Sequence, residues 1–184
     1  MVDIGKKGNM SMQRLTAQAL KDRYAEGVRD FAEVDLAGAD LFEADLREIN
    51  LKGSNLSQIY LPYANLSKAN LQNTQFYEAQ CSDAKLYQAD LSNANLQGAN
   101  LSRANLRYAN LQGANLQGAN LYKANLSKTN LKGANLTMGN LEQAKFSEAQ
   151  LSGCSFFRCR GVNISDAFVD ETTILPDGYR GEPS

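Results

Sequence analysis

From Leu36 to Phe156 an apolar residue recurs at every fifth position without interruption; of these 25 positions 21 are Leu, and the others are Phe76, Cys81, Phe146 and Phe156. A period of five fits neither the 3.6 residues of an α-helix nor the alternation of a strand, and a long helix would smear these residues around every face. The chain must therefore turn once per repeat. The stretch ANLQGANLQGANLYKANLSK, residues 109–128, shows the unit at its simplest. With the ladder residue as position i, position i−2 is Ala in 17 of the 25 repeats, with small replacements such as Ser54, Thr74, Thr129, Gly139 and Cys154. Position i−1 is Asn or Asp in 18.

Glycine marks the corner. Gly38, Gly53, Gly98, Gly113, Gly118, Gly133 and Gly153 all stand at i+2, and within the ladder only Gly139 lies elsewhere. A type II turn needs positive φ at its third residue, which Gly supplies and Asn tolerates, and Asn73 and Asn93 also fall at i+2. Each repeat thus reads as a short extended piece followed by a corner. Residues two apart in extended chain point the same way, so i and i−2 form an inner lining of Leu and Ala. Positions i−1, i+1 and i+2 are expected to face water.

The motif A-(N/D)-L-x-x, present as ADLFE, ANLSK, ANLQG and ANLYK over about 140 of 184 residues, closely resembles the pentapeptide-repeat protein family. The resemblance implies an all-β solenoid: a right-handed quadrilateral parallel β-helix with four pentapeptides to each turn. Residues n and n+20 then stack at the ~4.8 Å strand spacing, and about seven coils make a rod roughly 34 Å long. Leu91, Leu111 and Leu131 become one column. A lining packed to native density leaves no room for a cofactor, and none is expected.

The ends of such a stack need covers. The chain divides into a flexible segment 1–10, a capping α-helix 11–27, the repeats 28–174 and a tail 175–184 that leaves the coil. The helix is expected from Ser11 as N-cap to about Glu26, with Met12, Leu15, Ala19 and Tyr24 along one side and Gly27 as its stop. After Phe156 the register slips, and Ile164, Val169 and Ile174 are expected inward, three residues out of phase.

Composition narrows the chemistry. With 19 basic and 20 acidic residues the net charge is −1, so no bulk attraction to nucleic acid or anionic membrane is expected. No segment approaches ~20 consecutive apolar residues, and a cytoplasmic protein without a membrane partner is the expectation. There is no His, so no Ser-His or Cys-His pair exists and no catalytic residue is assigned; the chain is expected not to be an enzyme. Isolated carboxylates such as Asp90 stand on an open wall without a cleft. Cys81, Cys154 and Cys159 are too few and irregular for a disulfide framework or a metal site, and are expected as reduced, buried thiols; a redox pair of Cys154 and Cys159 is the alternative.

Function must then lie on the outside. The sides beside the Leu111 and Leu116 columns carry Gln72, Gln97, Gln112, Gln117, glycines and serines. The other two carry Phe42, Tyr63, Arg103, Tyr122 and Lys123 beside the Leu101 column, with Asp83 beneath Arg103 as an ordinary cross-strand pair, and Arg47, Lys68, Tyr87, Arg107, Tyr108 and Lys128 beside the Leu106 column. Tyr and Arg are enriched at binding hot spots, so Tyr63, Tyr87, Arg103, Arg107, Tyr108, Tyr122, Lys123 and Lys128 are the expected partner-binding wall. Charge is sorted along the rod as well: Leu91 to Asn140 holds five basic residues and no acidic one, whereas Asp30 to Glu48 holds seven acidic residues and one basic.

The family resemblance implies three roles: a rigid scaffold binding another protein, often in regulation; a DNA mimic, as in acidic members that bind DNA gyrase and blunt quinolone action; or a member of the large unassigned sets of photosynthetic bacteria. Mimicry asks for acidic columns, and here the middle is basic and the repeats lack protruding loops. The interleaved Tyr and Arg also fit single-stranded nucleic acid, against which the net charge weighs. The expected role is a non-enzymatic scaffold whose partner is another protein; the oligomeric state is left open.

Overall fold

The computed structural model describes residues 12–181. The expected flexible segment 1–10, together with Ser11 and residues 182–184, lies outside them. From Asp30 to Arg160 every fifth residue makes a parallel bridge to the residue twenty further on, as in Asp35↔Asn55, Asn95↔Asn115 and Asn140↔Arg160. A coil is therefore twenty residues with four corners, and successive coils stack in register.

The five amides of one repeat show why the unit is five residues long. The amide of Leu36 donates to the carbonyl of Asn55 (2.8 Å), that of Gly38 to Ser57 (2.9 Å), and that of Ala39 closes the corner onto Leu36 (3.0 Å). The amide of Asn55 reaches back to Val34 in the coil below (2.9 Å). The fifth, at i+1, faces no neighbouring coil and is taken by the side chain at i−1: Ser57 donates to Oδ1 of Asn55 (3.2 Å) and Thr137 to Oδ1 of Asn135 (3.0 Å). Five amides, five acceptors, and no buried amide is left over in the repeat.

This corrects the expectation that i−1 simply faces water. The same Asn uses its Nδ2 to reach the coil below, Asn115 donating to Asn95 (3.2 Å) and Asn130 to Asn110 (3.0 Å), so Asn residues form ladders between coils while half-buried. Asp can accept at the corner but has no amide to donate, and Asp90 is the lower end of such a ladder, receiving Asn110 at 3.1 Å. Burial raises the Asp90 pKa, but hydrogen bonds from Gln72, Ser92 and Asn110 outweigh that and hold it below the usual carboxylate range.

Inside, every ladder residue from Leu36 to Phe156 is at most 3% exposed. The i−2 residues are buried with them, Ala39 and Ala44 being half-buried exceptions. At ~1.5–3 kcal/mol per buried Leu this lining is the main favourable term, opposed by chain entropy of similar size. Where i−2 is polar it donates to a carbonyl: Ser54 to Phe31 (3.1 Å), Thr74 to Leu71 (2.6 Å), Cys154 to Leu131 and Cys159 to Leu136 (both 2.8 Å). Burial pushes the Cys81 and Cys154 thiols up to about 12 and Cys159 upward as well, so all three stay protonated and free. Cys159 is half-buried rather than buried.

Both ends differ from expectation. At the N-terminus a two-residue strand β1 (Gln13–Arg14) pairs in parallel with β2 (Val34–Asp35), and the helix α1 (Ala17–Ala25) follows. The helix thus begins six residues later than Ser11, and its N-cap is Thr16, whose hydroxyl accepts from the Ala19 amide (3.1 Å). The physical reason is the free edge of the first coil: residues 13–15 satisfy it in extended form, as the Leu15 amide donation to Asp35 (2.9 Å) shows. Leu15 and Leu20 plug the end of the core, Ala19 and Tyr24 pack partly against it, and Met12 is exposed.

At the C-terminus Gly161 sits at φ +65 with the Cα of Glu142 only 2.6 Å from where a Cβ would lie, so the chain crosses close over the coil below and loses the twenty-residue register. The slip is real, yet Ile164, Val169 and Ile174 are only half-buried, while Ala167 and Thr173 take the buried places. As far as Gly181 the tail does not leave the coil. Ile174 and Arg180 form an antiparallel bridge, and the Gly181 amide donates to Thr173 (2.8 Å), folding the segment back over the last coil.

Candidate functional site

The corners position the surface. Nineteen non-glycine residues at i+2, from Glu33 to Arg158, have φ between +54 and +63, and seven glycines occupy the remaining i+2 places. Positive φ at the third residue is what a type II turn asks for, and corners with and without Gly share it. The left-handed region costs an L-residue roughly 1–2 kcal/mol. The hydrogen bond from i+2 to the next coil, such as Arg103 amide to Tyr122 carbonyl (2.8 Å), offsets it. Tyr63, Arg103, Tyr108, Lys123 and Lys128 all stand at such corners.

This geometry merges what the sequence reading placed on two sides. Turns at 102–103 and 107–108 bracket the straight piece 104–106, so the two columns are the corners of a single wall. Tyr87, Arg107, Tyr108 and Lys128 come together there: Tyr87 meets Tyr108 edge-on (5.5 Å), the Arg107 guanidinium lies 5.7 Å from the Tyr87 ring, and Lys128 Nζ lies 5.7 Å from the Tyr108 ring. Lys123 Nζ sits 5.0 Å from the ring of its neighbour Tyr122. Each such contact is worth ~0.5–1 kcal/mol when exposed.

Several wall cations are already paired. Arg103 binds Asp83, one coil below, through two bonds of 2.8 and 2.6 Å, which raises the Arg103 pKa, with lesser contributions from Tyr63. Lys128 lies 3.4 Å from Glu148, and that carboxylate, then Tyr108, raises its pKa. Lys68 lies 3.8 Å from Glu48. Arg107 and Lys123 are in no ion pair among the described residues. Tyr63 stands apart from the Tyr87–Tyr108 pair and, besides its influence on Arg103, joins a lower aromatic group: it meets Phe42 edge-on at 5.9 Å, and Phe42 stacks on Tyr60 at 6.2 Å. Tyr63 and Tyr108 are 51% and 47% exposed, as a docking anchor requires.

Two features escaped the sequence reading. Tyr60 completes the lower aromatic cluster, and its signal was present, a Tyr at an i−1 place where Asn or Asp is the rule. A cavity of about 290 Å³ lined by Lys21, Tyr24, Phe42, Glu43, Ala44, Asp45 and Leu46 opens at the foot of the wall, between α1 and the coil. It depends on where the helix docks, which no local pattern encodes. Among the described residues there is no cluster of three or more metal-ligating side chains, and no helix is long and apolar enough to cross a membrane.

Comparison with known proteins follows the same lines. The family model for pentapeptide repeats matches in eight copies over residues 30–58, 60–93, 84–122, 99–137 and 124–160. Among solved structures, the chain is similar to Rfr23, a pentapeptide repeat protein from the cyanobacterium Cyanothece 51142, at 28% identity and TM-score 0.51, covering 86% of this chain and 99% of that one. It is similar to HetL, a pentapeptide repeat protein involved in heterocyst differentiation regulation from the cyanobacterium Nostoc sp. strain PCC 7120, at 26% identity and TM-score 0.39, covering 91% and 100%. A trypsin-treated form of QnrB1, a plasmid-mediated fluoroquinolone resistance protein, matches at 18% identity and TM-score 0.39 over 80% and 82%. The comparison with curated proteins returns no match. With twenty-residue stacking, a corner every five residues and a family model covering most of its length, this chain belongs to the pentapeptide-repeat family.

Proposed function

We propose that this protein is a rigid, non-enzymatic scaffold that binds another protein through the wall between the Leu101 and Leu106 columns, and that its coils wind right-handed into a four-sided rod. The observation that carries the reading is the contrast between walls. One bears Arg107 and Lys123 outside any ion pair among the described residues, set against Tyr87, Tyr108 and Tyr122; the opposite corners bear Gln97, Gln117, Gly98 and Gly118. A wall built on stacked coils is already ordered, so binding costs little conformational entropy and a few anchors suffice.

The test is a paired one. Arg107→Glu with Tyr108→Ala is expected to abolish capture of a native protein partner while leaving the melt unchanged, and Gln97→Glu with Gln117→Ala is expected to keep both. Loss of the partner by the glutamine pair and its retention by the Arg107/Tyr108 pair would reverse the assignment of the face. The stack of Tyr87, Tyr108, Arg107 and Lys128 favours single-stranded nucleic acid as a second reading. Fluorescence anisotropy with short single strands at low salt separates the two: a protein scaffold leaves the anisotropy flat.

A further inference from the structure

We infer that the same wall is self-complementary and that its occupant is a second, antiparallel copy of this chain. The inference rests on the wall being the binding surface, and it names the partner. Two rods packed wall to wall are related by a two-fold axis lying in the interface and crossing the rod. Such an axis reverses the order of coils but leaves lateral position unchanged. With the axis at the level of Asp83, each i+2 corner residue n therefore meets residue 166−n of the other copy in the Leu101 column and 176−n in the Leu106 column, and each i+1 residue meets 164−n and 174−n respectively.

The pairs that result are matched. Glu43 faces Lys123 of the second copy, Phe42 faces Tyr122, and Tyr63 faces Arg103, each at the same corner place; Glu43 and Lys123 are four coils apart, about 19 Å at the ~4.8 Å coil spacing. In the other corner column Glu48 faces Lys128 and Lys68 faces Tyr108. At the axis Asp83 meets Asp83 and Lys85 meets Lys85 of the other copy; each Asp83 carries Arg103 at 2.6–2.8 Å, and the two like-charged pairs lie side by side in one row, each offsetting the other. Glu43 and Glu48 of the acidic foot thus meet Lys123 and Lys128 of the basic middle across the axis, Glu48 and Lys128 keeping their partners Lys68 and Glu148 within each chain, an explanation of the charge sorting on this wall that a surface serving only as solvated wall does not offer.

A socket accompanies the charges. Phe42 and Glu43 are part of the lining of the 290 Å³ cavity with Tyr24 and Leu46, and the residue the two-fold places opposite Phe42 is Tyr122. A tyrosine ring entering beside Phe42, with Lys123 alongside reaching Glu43, fills that cavity once in each copy. Between the paired aromatics the i+1 residues Pro62 and Ser102 are buried, so there the wall rises only at the corner residues Tyr63, Asp83 and Arg103, which face one another across the axis. Five rows cover about 19 Å of rod, which places the contact below the roughly 800 Å² per partner of a standard interface and makes the pair weak and concentration-dependent.

Sedimentation equilibrium of the full chain at concentrations up to some hundreds of micromolar tests this. Wild type is expected to dimerise, less so in half-molar salt. Glu43→Lys and Lys123→Glu are each expected to weaken the dimer by roughly tenfold, because each reversal creates a like-charge contact twice. The double variant carrying both exchanges the signs and is expected to regain most of the affinity. Tyr122→Ala should weaken it too, whereas Gln117→Ala should not, and all variants should melt like wild type. A wild type that stays monomeric overturns the inference, as does a dimer indifferent to both reversals or a double variant that adds their losses. If the rods stay monomeric while Arg107→Glu with Tyr108→Ala still abolishes capture of another protein, the scaffold reading survives and its partner is not a second copy.

Discussion

At the scale of the residue, each of the five places has one physical task, and substitutions sort by place rather than by residue type. Leu111→Asp puts a carboxylate in a column that is 0% exposed and is expected to abolish cooperative folding; Gln112→Asp, one residue on and in water, is expected to shift the melt little. Similar melting temperatures for the two would refute the inward assignment. Asn115→Ala leaves the Gln117 amide without its acceptor and breaks the ladder to Asn95 and Asn135, an expected cost of about 1–3 kcal/mol by urea unfolding. Corner glycines are not equivalent either. Gly113→Val meets both positive φ and the Asn93 Oδ1, 2.6 Å from its Cβ, whereas Gly118→Asn enters open space with a residue that tolerates this φ. The first should lower the melt clearly and the second barely; equal shifts would mean that backbone conformation and space do not govern the corner.

At the scale of the element, the N-terminal cap is tied down by few contacts, and these make it pH-sensitive. The Arg14 guanidinium, 2.8 Å from Asp35, and the Ala37 amide hold the Asp35 carboxyl below its ordinary value. A depressed folded pKa contributes stability that is present above the unfolded value of about 3.9 and lost as pH falls through the folded one. Both side chains reach solvent, so the effect is modest and weakens with salt. Titrating from pH 5 to 2, the methyl resonances of Leu15 and Leu20 are expected to report cap opening below about pH 4 in wild type and to lose that step in Asp35→Asn. Identical titrations in the two proteins would remove Asp35 from the explanation. Thr16→Ala removes the N-cap acceptor of α1 and should cost ~1 kcal/mol, read as several-fold faster amide exchange at Leu20.

At the scale of the molecule, the repeat makes folding tolerant where the surface is not. Successive pentapeptides present equivalent inward positions and the same backbone hydrogen-bonding places, so deleting residues 94–98 shortens the coil by one side and lets the rest stack again. The melt is expected to remain cooperative. Above the cut, however, every corner column advances by one side: Arg103 leaves Asp83, and the Tyr122 and Lys123 corner no longer lies over Phe42 and Glu43. Such a variant should fold and lose both partner capture and self-association. A folded deletion that keeps them would place the binding surface elsewhere.

How far the fold was legible follows from the range of each signal. The inward ladder, the small residue at i−2 and the corner at i+2 are local consequences of burial and backbone sterics, and the chain spells them out some two dozen times. The amide count that makes Asn or Asp the rule at i−1 was equally present, but its reason appears only when the neighbouring coil is in place, because only then is one amide in five left without a carbonyl. The wall residues could be named from composition and the twenty-residue frame. The same frame puts Asp83 beneath Arg103 as a cross-strand pair, and the structure closes it; that Glu148 takes Lys128 while Arg107 and Lys123 stay outside any ion pair among the described residues was decided only by how the side chains reach between coils. By itself the sequence determined that the chain turns every five residues around a leucine lining. That twenty residues close one coil, that residues 13–14 become an edge strand before the helix, and that the tail folds back were decided by tertiary structure, because edges are satisfied only by whatever segment reaches them.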